Sequence, residues 1–414
     1  MRISRSAVIL AAGLALITAN FIASAAESTD RPIFQLASVS VSQTIPLAEE
    51  TRRIFDTVPN IDGETVAPIE ETDDSATDIT DISAFPADLW ERIRNGFAMA
   101  EMDSEEVRNG EDFYVSRPEY VKRIIERSKR YLFHIVEEVE RRRMPAEIAL
   151  LPIIESAFNP RAYSTSHASG IWQFIPSTGK NYGLKQNWWR DDRRDIVAAT
   201  SAALDYLQNL YSMFGDWELV LASYNWGEGA VGRSLIKNRN SGLPMDFRNI
   251  NLPPETQNYV PRLIAIRNIV SNPAAFGVEL EFVPNRPYFE TVATTRHIDV
   301  ALAAELADIS VDEFKALNPA HNRPVINVNG SHPLLLPADK VETFMTNLRN
   351  YDKPLVSWQA HQAKKGETAE KISARYGISV RRMKEVNDIH QQSSITPGQS
   401  LLVTLSGRAE GLYI

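Results

Sequence analysis

Apolar residues recur at three- and four-residue intervals through most of residues 85–270. After Pro284 they give way to short runs arranged in two similar sets. This change of period is the strongest constraint on the fold, because a 3.6-residue repeat buries one face of a helix and short extended runs bury strands. A chain of 414 residues also exceeds one ordinary core, so two or three domains are expected. The fold class that follows is multidomain, with a mainly α region first and small α+β (βααβ) modules after it.

Within the helical region, Leu89, Trp90, Ile93 and Phe97 mark a first helix. Ser116 is positioned to cap the next, with Pro118 in its first turn, and Val121, Ile124, Ile125, Tyr131, Leu132, Ile135, Val136 and Val139 form one apolar stripe along it. It ends in Arg141, Arg142 and Arg143, where positive charge complements a helix C-terminus. Pro145 opens a further helix that reaches Glu155 and Ser156. An irregular stretch through Asn159, Pro160, Ser164 and Gly170 follows. Helices are predicted again over 196–211, 217–224 and 255–270. The two later sets, 288–337 and 356–405, each read strand, helix, helix, strand, which is one small module in two copies.

The N-terminal residues have a different character. Arg2 and Arg5 precede an apolar run over 7–23 and then Ala23, Ser24, Ala25 and Ala26, the pattern of a cleavable export signal over 1–26. The run is slightly short for a spanning anchor, the alternative reading. Residues 27–84 are rich in Glu, Asp, Thr, Ser and Pro and lack a sustained apolar period, which predicts a disordered acidic tether. Export to the periplasm or cell envelope is the expected localisation.

Several function classes are excluded at this level. With no cysteine there are no disulfides or thiolate metal sites. The formal charge of −9 argues against nucleic acid. His134 falls on a helix, His167 in the irregular stretch, and no HExxH-like spacing occurs, so neither metal nor cofactor is expected. No heptad or exposed apolar pattern suggests self-association, and a monomer is expected.

One carboxylate has neighbours unsuited to a solvated acid. Glu155 follows Leu150, Leu151, Pro152, Ile153 and Ile154. Burial there, and its place at a helix C-terminus, would both raise its pKa, as a general acid requires. Local sequence alone leaves an ordinary helix-terminal glutamate equally open. Asp191, Asp192 and Asp195 offer a second carboxylate, but the Asp-Asp-Arg-Arg-Asp run reads better as a solvated loop and helix cap.

The run from Glu155, Ser156, Ala157, Phe158, Asn159 and Pro160 to Gly170, Ile171, Trp172, Gln173, Phe174, Ile175, Pro176, Ser177, Thr178 and Gly179 resembles the signature of soluble-lytic-transglycosylase-type domains, related to goose-type lysozyme. Two later blocks continue the likeness: Ala222, Ser223, Tyr224, Asn225, Trp226, Gly227, Glu228 and Gly229, then Glu255, Thr256, Tyr259 and Val260. The resemblance covers roughly 85–275. It implies a lysozyme-like domain that cleaves the β-1,4 bond between N-acetylmuramic acid and N-acetylglucosamine of peptidoglycan, leaving a 1,6-anhydro-muramoyl end. It makes Glu155 the sole acid and base, Ser164 a donor near the scissile sugar, and Gln173, Tyr224, Asn225 and Tyr259 the saccharide groove. Ile175 stands where the family often has Met, and Trp226 where it has a small residue. Trp172 reads as a buried aromatic, and Trp226 as a sugar-stacking candidate.

Residues 356–406, with Gly366, Glu367 and Thr368 and the later Pro397–Gly398 turn, resemble a LysM domain, which implies binding of N-acetylglucosamine-containing glycan. The Thr-Leu usual in that family is Thr368-Ala369 here. Residues 286–350 keep Ile309, Ser310, Phe314, Leu317, Asn318 and Pro319 but lose the Gly-Asp-Thr turn, as in a degenerate LysM-like relative. Its apolar positions require only a packed module, so a purely structural spacer is equally open. The expected protein is a peptidoglycan lytic exo- or endotransglycosylase, a lyase, whose partner is the glycan strand, with peripheral attachment to membrane or wall. A non-catalytic wall-binding scaffold and a hydrolytic lysozyme are the alternatives.

Overall fold

The structure, a computed structural model, describes residues 86–294, 296–327, 333–390 and 393–405. The expected export signal and acidic tether lie outside the described residues.

The first region is a helical bundle. Its helices are α1 (Leu89–Asn95), α2 (Glu105–Val115), α3 (Pro118–Ser128), α4 (Leu132–Arg141), α5 (Leu151–Ser156), α6 (Pro176–Asn181), α7 (Ile196–Phe214), α8 (Trp217–Trp226), α9 (Glu228–Asn240) and α10 (Pro254–Ser271). Helix α10 is buried on nearly every side, through Tyr259, Val260, Leu263, Ile264, Ile266 and Ile269, as expected of a central helix. Helix α2 lies against it, and Gly110 permits the approach, since a Cβ there would stand 2.8 Å from the Ala265 Cβ. Two caps fix the helices that lead to the site. Asp195 accepts the Ala198 N–H at 2.8 Å and Asp216 accepts the Leu219 N–H at 2.8 Å.

Three sequence expectations are corrected here. The stripe through Val139 is carried by two helices, α3 and α4, which break at Lys129; beside the break Arg130 pairs with Glu313 and the Tyr131 hydroxyl donates to the Ala316 carbonyl at 2.9 Å. Ser116 ends α2 instead of capping α3, whose N-cap residue is Arg117. The approach to Glu155 is a 3₁₀ turn (Ala146–Leu150) and the short α5, with Pro152 in its first turn, instead of one helix. Helices α2, α6 and α9 were not anticipated.

The first module contains β1 (Phe289–Val292), β2 (Ile298–Asp299), α11 (Val300–Leu306), α12 (Val311–Leu317), β3 (Val325–Ile326), β4 (Leu334–Pro337) and α13 (Val341–Asn350). Strand β1 runs antiparallel to β4, with Phe289 opposite Pro337, and β2 pairs with β3. The second module contains β5 (Trp358–Gln362), α14 (Ala369–Tyr376), α15 (Val380–Val386) and β6 (Ser400–Thr404), with β5 antiparallel to β6.

One polar device appears in both modules. Asn318 donates to the Leu335 carbonyl at 2.7 Å and accepts the Leu335 N–H at 2.9 Å; Asn387 does the same to Leu402 at 2.9 and 2.6 Å. Ser310 and Ser379 cap equivalent helices. The modules are not free beads. Phe289, Leu317 and Leu335 of the first belong to the core of the helical region, and Trp188 and Trp189 pack on the core of the second.

Candidate active site

Glu155 ends α5 and is only 5% exposed. Behind it the chain turns through two left-handed residues that are not glycine, Ala157 at φ 52° and Phe158 at φ 53°, a conformation that costs of order 1–3 kcal/mol per residue. Packing holds the turn: Phe158 is fully buried, and the Ser156 hydroxyl donates to the Ile171 carbonyl at 2.9 Å. Burial raises the Glu155 carboxyl to about 8, a hydrogen bond from the Tyr259 hydroxyl to its Oε1 pulls the other way, and the Glu255 charge adds to the rise. Burial also raises the Tyr259 phenol well above its ordinary value, so it stays a donor.

The irregular stretch after α5 is tied down by Arg193, which is 4% exposed. Its guanidinium donates to the Phe174 carbonyl at 3.0 Å and pairs with Asp191 at 2.7 Å. Gly170, at φ +83°, passes so close that a Cβ would stand 2.1 Å from the Arg193 carbonyl oxygen. Only glycine fits there. Trp172 is fully buried and donates through Nε1 to Thr200 at 3.0 Å, as read from sequence. Asp191 and Asp195 are helix caps. The solvated-loop expectation needs correction for Asp192, which is 6% exposed and paired with Arg190. The desolvation of Asp192 is offset by the Arg190 guanidinium and by the Lys185 N–H, which donates to it at 3.1 Å.

Glu155 opens into a cavity of about 290 Å³. Gln173, Tyr224, Asn225 and Trp226 line it with Glu155. The Tyr224 hydroxyl donates to the Trp172 carbonyl at 2.9 Å, the Asn225 side-chain oxygen accepts from Thr256 at 2.8 Å, and the Gln173 amide donates to the Gly170 carbonyl at 2.8 Å. Tyr259 lies behind Glu155, 3% exposed, and is not part of the lining. Nor is Ser164, whose hydroxyl accepts the Ala168 N–H at 3.0 Å.

Sequence reasoning missed two carboxylates of this cavity, Glu228 and Glu255. The Tyr206 hydroxyl donates to Glu228 at 2.8 Å. Both were visible in the motif blocks, directly beyond Gly227 and before Thr256, and helix periodicity would have brought Glu255 to the face of Tyr259, four residues on. Among the described residues no group of three His, Cys, Asp or Glu side chains could hold a metal.

A buried acid at the end of a short helix, opening on a cleft walled by an irregular loop and helices α6 to α10, is the frame of a glycan-cleaving domain. Residues 134–243 match the family model described as the transglycosylase SLT domain, 288–353 that of the lytic transglycosylase MltD LysM-like domain, and 361–404 that of the LysM domain. The chain is 34% identical to membrane-bound lytic murein transglycosylase D of Escherichia coli (strain K12) over 337 residues, 78% of this chain and 74% of that one. It is also 43% identical over 123 residues to a putative tributyltin chloride resistance protein of Alteromonas sp. (strain M-1), covering 30% of this chain and 59% of that one. Peptidoglycan transglycosylase gp16 of Escherichia phage T7 is 33% identical over 127 residues, 30% of this chain and 9% of its own. The chain belongs to the family of membrane-bound lytic murein transglycosylase D.

Proposed function

We propose that Glu155 is the single acid and base of a peptidoglycan lytic transglycosylase and that it works from the protonated state. The carboxyl gives its proton to the glycosidic oxygen between N-acetylmuramic acid and N-acetylglucosamine as the C1–O bond breaks, with the substrate's N-acetyl group assisting departure. The carboxylate then takes the proton of the C6 hydroxyl while that oxygen bonds to C1, which closes the 1,6-anhydro ring and restores the acid. No water is consumed, and the nucleophile is already on the sugar, so the main demand on the protein is position. The observation that carries this reading is a carboxyl buried to 5% exposure, held near pKa 8, and facing the cavity.

In this reading Tyr259 holds the acid, Gln173, Tyr224 and Asn225 shape the sugar subsites, and Trp226 offers a ring face. Ser164 acts only after its hydroxyl turns from the Ala168 amide. The LysM module retains the glycan, the chain acts as a monomer in the cell envelope, and its N-terminal segment is an export signal. Glu155→Gln should lower the rate of sacculus clearance by about 10²–10⁴-fold; a rate within threefold of wild type would end this assignment.

Glu228 and Glu255 favour one second reading, hydrolysis, because either carboxylate in the same cavity is a possible base for water. Under the single-carboxylate reading Glu228→Gln yields anhydro products only, as wild type does. A switch of product with that variant would assign Glu228 the base.

A further inference from the structure

A second cavity, of about 430 Å³, lies where the helical region and both modules meet. Arg161 and Arg194 reach it from the helical region, Lys315 and Arg323 from the first module, and Arg382 and Asp388 from the second. Five cations line it against two carboxylates, although the whole chain carries −9. The carboxylates are already engaged, Asp388 with Arg323 at 2.7 Å and Glu385 with Arg382 at 3.6 Å. Among the described residues no carboxylate stands within ion-pair distance of Arg161, Arg194 or Lys315.

Arg194 is the least satisfied of these. Its guanidinium donates to the Asn322 side chain, but its Nε is buried without a hydrogen-bond partner. Burial, with Arg161 and Arg193 nearby, pulls it below its ordinary value despite Asp191. A desolvated cation among like charges is expensive to maintain, and an anion in the cavity would offset the cost.

The walls are fixed before any ligand arrives. Asp191 donates its N–H to the Ala320 carbonyl and Asn322 donates its N–H to the Trp189 carbonyl, each at 2.9 Å. Arg323 lies 4.5 Å over the Trp188 ring and donates to the Val386 carbonyl at 3.0 Å. Arg161 also belongs to the segment that walls the catalytic cleft, since the neighbouring Ala162 carbonyl accepts from Gly170 at 3.1 Å and from the Gln173 amide at 3.4 Å.

We infer that this three-way junction is an anion subsite that takes a carboxylate borne by the muramoyl residues of the glycan strand. The inference rests on peptidoglycan being the substrate. Two sources supply that chemistry: the carboxylates of the peptide stem, and the lactyl carboxylate left bare once a stem has been removed. Arginine forks suit either, and preorganised walls reduce the entropy lost on binding.

The test is binding of the full chain, made inactive by Glu155→Gln, with and without Arg161→Glu and Lys315→Glu, to intact sacculi, to amidase-stripped sacculi and to neutral N-acetylglucosamine oligomers. The charge reversal is expected to weaken binding tenfold or more to the sacculi that bear the captured carboxylate and to leave the oligomer affinity within twofold, the latter reporting an intact fold. A loss confined to intact sacculi assigns the stem, because their lactyl carboxyls are held in the amide bond to it; a loss confined to stripped sacculi assigns the lactyl carboxylate, and a loss on both means that the subsite takes either. Unchanged binding to both sacculi overturns the subsite. The milder pair Arg161→Gln and Lys315→Gln repeats the comparison if the reversed chain fails to fold. Product analysis of the wild-type digest judges the activity separately, so either claim can fail alone.

Discussion

At the residue scale, the raised carboxyl of Glu155 and its bond from Tyr259 carry the pH dependence that the proposed function implies. Folding raises the Glu155 carboxyl from its ordinary 4.5 to about 8. The folded chain therefore binds a proton that the unfolded chain releases. Stability from this group is complete below about pH 4.5 and falls as pH rises towards 8, by up to about 1.4 kcal/mol per pH unit. Glu155→Gln should thus be more stable than wild type, with a gain that grows between pH 5 and 8 in urea unfolding; a constant difference would contradict the buried, protonated state. Tyr259→Phe removes the bond that lowers this carboxyl. The alkaline limb of the rate profile should then move up by about one pH unit, and a downward shift would show that the phenol stabilises the acid form instead. The burial of Glu155 was legible because five apolar residues precede it, whereas its assignment as the acid came from the family likeness. Its tyrosine partner was legible only through the family likeness, since the two stand 104 residues apart in the chain.

Among the elements, the loop of residues 157–175 matters most, because it has little regular hydrogen bonding of its own. Arg193 and the close passage of Gly170 hold it against the Asp191–Asp195 corner. Gly170→Ala combines a backbone overlap with a positive φ and should cost about 3 kcal/mol or more. The measurement is a thermal melt with a parallel activity assay, and a variant that keeps both values would mean the loop can move aside. The periodicity predicted the apolar faces of α3 and α4 correctly, since burial on one face is written in the order of side chains. It did not predict the break at Lys129, which is set by Glu313 and Ala316 nearly two hundred residues later. Helix α2 escaped notice because its face is small and interrupted by Gly110, whose purpose is visible only beside Ala265. The βααβ order of both modules was legible, because their short apolar runs and serine caps are local signals, but the two-residue strands β2 and β3 and helix α13 of the first were not.

For the whole molecule, what the sequence could not express is that the modules share cores. Two similar apolar sets predict two packed units, but not that Trp188 and Trp189 of the helical region seal the second one. Trp188→Ala should remove about 2–3 kcal/mol of that packing, less than full burial would give. Calorimetry should then resolve an early transition of the last module, with cleavage of a short soluble glycan retained; a single unshifted transition would mean the contact is idle. Such docking fixes the position of the LysM module relative to the cleft; under the proposed function it also sets the stretch of glycan that would reach Glu155.

The central claim is that one buried carboxyl cleaves the strand without water. Purified sacculi digested by wild type and by Glu155→Gln, with the muropeptides weighed by mass spectrometry, test it most directly. The account predicts products lighter by one water than hydrolysis gives, from wild type alone. Reducing-end products, or anhydro products from the Gln variant, would contradict it.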